Sequence, residues 1–150
     1  MSYERDVQAF NDRAASYEAG RLGQLHRDFA DRAIRIALAV APAPARVLDV
    51  GSGTGYALRQ LAVALPNATE LTGVDAAPEM VRVASEAGGD SRVRFIQGTA
   101  EELPVPDGFV DLVISTTSFD HWADQRAGLR DPQWYRLAGP ILQTVTAVRG

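Results

Sequence analysis

Apolar positions recur along this chain with two different periods. Up to about Val40 they fall three and four residues apart: Phe10, Ala14 and Tyr17, then Leu22, Leu25 and Phe29, then Ala33, Ile36 and Val40. That spacing predicts helix, with these residues along one face. Gly20 and Gly23 are expected to break the stretch into two helices. The run APAPA, residues 41–45, is a stiff connector, and helices stop before such prolines.

From Arg46 the pattern changes to short apolar runs separated by helical stretches. Strands are predicted at Arg46–Val50, Glu70–Asp75, Arg92–Gly98 and Phe109–Ser115. Helices are predicted at Tyr56–Leu65 and Pro78–Ala87, the second with proline in its first turn and Gly88-Gly89 as its stop. Leu103–Gly108, LPVPDG, reads as a loop. Strands alternating with helices imply a parallel sheet covered by helices on both faces, a Rossmann-like doubly wound α/β fold.

The length of 150 residues suits one domain. No stretch approaches the roughly 18 apolar residues of a membrane span. The beginning, MSYERDVQAF, is charged where a signal peptide would be apolar. There is no cysteine, so disulfides and thiolate metal sites are excluded, and a cytoplasmic protein is expected. A net charge of −4 argues against nucleic acid as the main partner. All 15 basic residues are arginine, which excludes lysine Schiff-base chemistry and a lysine-dependent phosphate loop.

The chemistry is concentrated in VLDVGSGTG, residues 47–55. Glycines at 51, 53 and 55 stand where the first strand hands over to a helix. Such a turn lets backbone approach a ligand, and the helix start offers N–H groups to an anion. A tight turn that binds nothing is the plainer reading. The dinucleotide pattern is not met, since Tyr56 stands where its third glycine would fall. Asp49, two residues before Gly51, is a poor neighbour for a pyrophosphate and a good one for an ammonium or sulfonium group. Asp75 ends the second strand 24 residues after Gly51, near the interval at which an acid meets a ribose hydroxyl pair. An amino-acid end, a positive centre and a ribose together describe S-adenosylmethionine.

The stretch from Val47 to about Arg130 resembles the class I S-adenosylmethionine-dependent methyltransferases. It is most similar to the small-molecule branch that includes the ubiquinone and menaquinone biosynthesis enzymes. VLDVGSGTG resembles that family's cofactor loop, LTGVDAAPEMVRVA its second strand and helix, and GTAEELPVPDGFVDLVIS its typical GDAEELPFPDGSFDLV segment. FNDRAASYEAG resembles the family's first helix, which folds over the cofactor as a lid.

The resemblance implies roles. Gly51, Ser52, Gly53 and Gly55 would bring backbone amides to the methionine end. Asp49 would take its amino group, directly or through water, or else serve as a turn carboxylate. Asp75 would bind both ribose hydroxyls, or else cap the helix opening at Pro78. Ala76 and Met80 would pack on the adenine, unless Met80 is plain core. Thr99, where the family often has Asp, would offer an oxygen to the adenine amino group, or the Ala100 backbone would take over. Ser115, after the fourth strand, would lie beside the methyl group. His121 in SFDHW is the candidate catalytic base, and Tyr17 would reach toward the methionine carboxylate. Trp122 is expected to anchor a helix start and His26 to lie on the surface.

Residues 1–45 are thus expected to form a lid and connector, 46–130 the cofactor-binding core and 131–150 an atypical tail. After Arg130 the resemblance fails, and the tail is shorter than the family's C-terminal part. Ile141–Val148, rich in β-formers, is expected to supply a fifth strand in the order 3-2-1-4-5. Uncovered surface on the fourth strand would then favour a homodimer. The function expected is methyl transfer to a small-molecule acceptor. A catalytically impaired cofactor-binding module is the alternative. A nicotinamide-dependent oxidoreductase would need Asp49 moved away from phosphate.

Overall fold

A computed structural model describes residues 3–106, 108–116, 118 and 121, together with the backbone of 133–138 and 142–148. The chain opens with α1 (Tyr3–Arg13), a 3-10 turn (Ala14–Ser16) and α2 (Gly20–Val40). The two helices part between residues 14 and 19. Gly20 opens α2 at a φ of 68°, while Gly23 lies inside the helix and does not break it. A Cβ on Gly23 would collide with the backbone of Glu18, so the glycine lets the preceding loop fold back tightly. The buried face of α2 is Gly23, Ala30, Ala33, Ile34 and Ala37. Leu22, Leu25 and Val40, from the expected stripe, are exposed. Small residues let α2 lie close on its neighbours, and that closeness selects a different face from the one the large side chains suggest.

Strand β1 (Arg46–Val50), helix α3 (Tyr56–Ala64), strand β2 (Glu70–Asp75), helix α4 (Pro78–Glu86), strand β3 (Val93–Gln97) and strand β4 (Leu112–Thr116) follow. The four strands are parallel, in the order β3-β2-β1-β4. Alternating side chains divide between two cores. Val47, Leu71, Leu112 and Ile114 pack with Ala30, Ile34 and Ala37 of α2 and Leu58 and Leu61 of α3. Leu48, Val50 and Val74 point to the other face, under Ala100, Leu103, Val105 and Val110. Among the described residues that second face is covered by an irregular segment, not by the expected helix. Pro104 and Pro106 remove two backbone donors there and disfavour helix. A third cluster joins Val7, Phe10, Ala14 and Tyr17 to Ala77 and Met80, which seats α1 on α4.

Strand β4 begins three residues later than its apolar run suggests. Asp111 Oδ2 accepts from the backbone N–H of Ala45 (3.0 Å) and Arg46 (2.8 Å). The Arg46 guanidinium lies 4.6 Å over the Phe109 ring and donates to the Phe109 carbonyl at 2.9 Å. Residues 109–111 therefore clasp the start of β1 before the ladder begins.

Beyond β4 the parallel pattern stops. The backbone of β5 (Gln133–Ala138) and β6 (Leu142–Val148) forms a hairpin, with β6 antiparallel to β4. The full order is β3-β2-β1-β4-β6-β5: the strand expected from residues 141–148 lies beside the fourth as β6, while β5 outside it was not expected and the pair runs antiparallel. The physical reason is the connection. Three residues separate Ala138 from Leu142, enough for an antiparallel turn and far too few for a parallel crossover. The expected open edge of β4 is taken by β6. Thr117 and Trp122 lie outside the described residues.

Candidate functional site

The carboxyl ends of β1, β2 and β4 deliver Val50, Asp75 and Thr116 to one rim of the sheet, where α/β folds bind ligands. A cavity of about 690 Å³ opens there, roofed by Tyr3, Asp6, Val7 and Phe10 of α1. A second, of about 470 Å³, lies between α2 and the glycine loop. The two share Tyr17, Gly51, Gly53 and Thr116 as a common wall.

The three glycines do different things. Gly51 has a φ of 76°, and a Cβ there would strike the Ser118 side chain. Gly53 has a φ of 53° and faces open space on both cavities. Gly55 lines neither cavity; a Cβ there would strike the ring of Phe95 on β3, so it serves helix–sheet packing. Gly73, opposite Asp49 in the ladder, makes room for Phe95 and the Ser52 side chain in the same way.

The loop amides were expected to face a ligand. Here they serve the protein. Gly51 N (2.7 Å) and Ser52 N (3.0 Å) donate to Val74 O, and Gly55 N donates to Ser52 O at 2.9 Å. Gly53 N donates to Asp75 Oδ2 at 2.8 Å, and Ala77 N to Asp75 Oδ1 at 2.9 Å. These bonds tie the loop across to β2 and fix the Asp75 carboxylate at the cavity wall. Amides without intrahelical partners begin at the first turn of α3, whose Tyr56 and Ala57 line the smaller cavity.

Asp49 is 1% exposed and lines neither cavity. Its Oδ1 has no hydrogen-bond partner among the described residues. Burial, and then the charge of Asp75, push its carboxyl up to about 7. Burial also raises Asp75, against the pull of the Ala77 and Gly53 N–H groups. Ser52 Oγ is likewise buried without a partner, at the smaller cavity.

Ala76, Met80, Thr99 and Ala100 line the larger cavity. Thr99 Oγ1 accepts from Glu102 N at 3.2 Å. Ser115 is a correction. It is fully buried, lines neither cavity, and has its Oγ 2.7 Å from Ser118 Oγ. The alternation of β4 points Thr116 to the rim in its place. Ser118, not singled out in the sequence, donates to Val50 O at 2.8 Å and sits in the space that Gly51 leaves. His121 lines the larger cavity, 3.2 Å from Asp6 Oδ2 through Nδ1.

His26 is a second correction. It lines the smaller cavity beside Tyr17, with ring centroids 4.9 Å apart, and burial followed by the Arg13 charge lowers its pKa. Glu18 was also missed. It accepts from Thr54 Oγ1 and pairs with Arg59 at 3.2 Å, fastening the α1–α2 loop to the glycine loop. No periodicity marks such a loop residue. No group of three or more potential metal ligands occurs among the described residues.

Residues 47–136 match a family described as methyltransferase domain. That match covers more than half of the chain. The chain belongs to this methyltransferase family. It is 39% identical over 104 residues to the uncharacterized methyltransferase YcgJ of Bacillus subtilis, covering 67% of this chain and 40% of that protein. It is 36% identical over 135 residues to the demethylmenaquinone methyltransferase of Thermus thermophilus, covering 87% of this chain and 60% of that protein. Among solved structures it is similar to CalS10 with bound S-adenosylmethionine, an amino pentose methyltransferase from Micromonospora echinaspora, with a TM-score of 0.54 and 30% identity, covering 69% of this chain and 42% of that one. The chain thus spans about half the length of the curated relatives it matches. The family's cofactor is S-adenosylmethionine. No helix among the described residues is long and apolar enough to cross a membrane.

Proposed function

We propose that this methyltransferase holds S-adenosylmethionine across the two adjoining cavities and transfers its methyl group to a small-molecule acceptor. The observation that carries the reading is the shared wall at Gly51 and Gly53, with Asp75 anchored on one side and the start of α3 on the other. Asp75 Oδ1 and Oδ2 each keep a lone pair beyond their backbone bonds, enough for two ribose hydroxyls. Ala76, Met80 and Ala100 form the apolar wall for adenine, with Thr99 at its edge. Gly51 and Gly53 admit the ligand close to backbone. The first turn of α3, together with Tyr17, takes the carboxylate. Asp49, set behind the wall, takes the ammonium through water, and Gly55, Ser52 and Ser115 hold the loop and strand in place.

When bound, S-adenosylmethionine supplies a methyl carbon on a sulfonium, and the carbon–sulfur electron pair stays with sulfur. The chain's part is to align the acceptor, exclude water under α1 and accept a proton if the acceptor carries one. His121 is the residue proposed for that proton. Calorimetric titration with S-adenosylhomocysteine tests the cofactor site. Saturable binding in the wild type that is lost in Asp75→Ala supports it; heat changes identical in the two proteins overturn it. A panel of small acceptors with mass-spectrometric readout then tests transfer.

The same proposal takes residues 1–45 as lid and connector, 46–130 as the cofactor-binding core and 131–150 as a separate tail. It includes a homodimer through an open sheet edge. The fourth-strand edge expected to carry it is taken by β6, and β3 and β5 are the edges that pair on one side only among the described strands; light scattering in solution tests it. It also includes a cytoplasmic location, in keeping with the cysteine-free composition, which cell fractionation tests.

A further inference from the structure

Helix α1 does more than roof the cavity. Its Asp6 Oδ2 lies 3.2 Å from His121 Nδ1, across 115 residues of sequence. Phe10, one turn further along the same helix, meets the His121 ring edge-to-face, with centroids 5.2 Å apart and planes at 85°. The backbone N–H of His121 donates to Ser118 O at 2.9 Å, and Ser118 Oγ is bonded to Val50 O. So the backbone of His121 is fixed from the sheet and its ring from the lid. All four residues, Asp6, Phe10, Ser118 and His121, line the larger cavity.

A carboxylate can only accept. Facing Nδ1, it selects the neutral tautomer that carries hydrogen on Nδ1 and leaves the lone pair on Nε2. We propose that Asp6 is the positioning residue of His121: it holds the ring in the tautomer whose Nε2 serves as base, so that docking of α1 and assembly of the base are one event. The inference rests on the methyltransferase reading above and deepens it. The other titratable groups sharing the cavity are Tyr3, Tyr17, Asp75 and Glu101. Of these groups, Asp6 is the one whose oxygen lies at hydrogen-bond distance from the ring in the contact given above. Helix α1 is itself anchored where the site needs it, because Asn11 Oδ1 accepts from Glu79 N at 3.1 Å and so caps α4 from outside.

Long-range proton–nitrogen NMR on the full ligand-free chain reads the tautomer directly. The chain has only two histidines, and the signals that persist in His26→Gln belong to His121. The spectra are recorded at about pH 8.5, about two units above the ordinary imidazole pKa. The wild type should show His121 as the Nδ1–H form. Asp6→Ala should lose that form in favour of Nε2–H, and Asp6→Asn, which keeps an acceptor oxygen, should restore it. A wild-type His121 in the Nε2–H form, or one unmoved by Asp6→Ala, overturns the proposal. Rescue by Asp6→Asn shows that the Ala variant lost the acceptor and not the fold. Titrating the same wild-type sample with S-adenosylhomocysteine separates the two readings. Absence of binding beside an Nδ1–H His121 removes the methyltransferase premise and with it the base. Binding beside an Nε2–H His121 removes Asp6 alone.

Discussion

Asp49 is the most costly side chain in the site, and its replacement gives a sharp test. In Asp49→Asn an amide of the same size takes the place of a buried carboxyl. The native carboxyl titrates at about 7, against an ordinary value of 3.8. Between those values the native protein holds a proton that the unfolded chain has lost. Stability therefore falls as pH rises from about 4 to about 7 and levels off above. About three pH units at about 1.36 kcal/mol each make a penalty of ~4 kcal/mol at pH 8. The protonated carboxyl and the amide make similar demands, each with a donor and an acceptor, so the two proteins should match near pH 4. At pH 8 the variant should be the more stable. For a chain of this size, roughly 2–4 °C per kcal/mol gives a melting temperature higher by roughly 8–16 °C. The assay is thermal unfolding by circular dichroism at several values from about pH 4 to 8. The same variant should bind S-adenosylhomocysteine more weakly, since the ammonium needs the ionised form. A difference in melting temperature that stays constant over this pH range would refute the reasoning, because it would mean Asp49 is ionised in the native state throughout.

Other substitutions probe the rest of the site. Asp75→Ala should weaken S-adenosylhomocysteine roughly 10- to 100-fold by calorimetry, the loss of charge-assisted hydrogen bonds worth about 1.5–3 kcal/mol. Gly51→Ala should destabilise by about 2–3 kcal/mol in urea unfolding, since it adds a clash with an anchored Ser118 to the strain of positive φ. Gly53→Ala, in open space, should cost about 1 kcal/mol of stability and lose affinity disproportionately; equal unfolding costs for the two would contradict the geometry. Asn11→Ala should lower stability by about 0.5–2 kcal/mol through the lost cap of α4, measured the same way.

Local pattern carried far in this chain. The strands Arg46–Val50 and Glu70–Asp75 were legible to the residue, because one face-alternating apolar run bounded by turn residues has few other solutions. The meeting of Asp75 and Gly53 at one cavity wall was legible for a similar reason: a glycine-rich handover and an acid at the end of the next strand are neighbours in a parallel pair. What depends on distant segments was not legible. The strand at β6 was read from its β-formers, but β5 and the antiparallel direction of the pair follow from a connection length that no periodicity encodes. The buried face of α2 follows from how closely it lies on the sheet, which favours Ala30, Ile34 and Ala37 over Leu22 and Leu25.

The amino-acid sequence by itself determined the four strands and the family, since each rests on residues close along the chain. Tertiary structure alone decided which atoms of that loop are free. It handed the Gly51, Ser52 and Gly53 amides to β2 and turned Ser115 inward. It also brought Asp6 to His121 from 115 residues away. A hydrogen bond is directional and short-ranged, so its partner exists only once separate elements have packed.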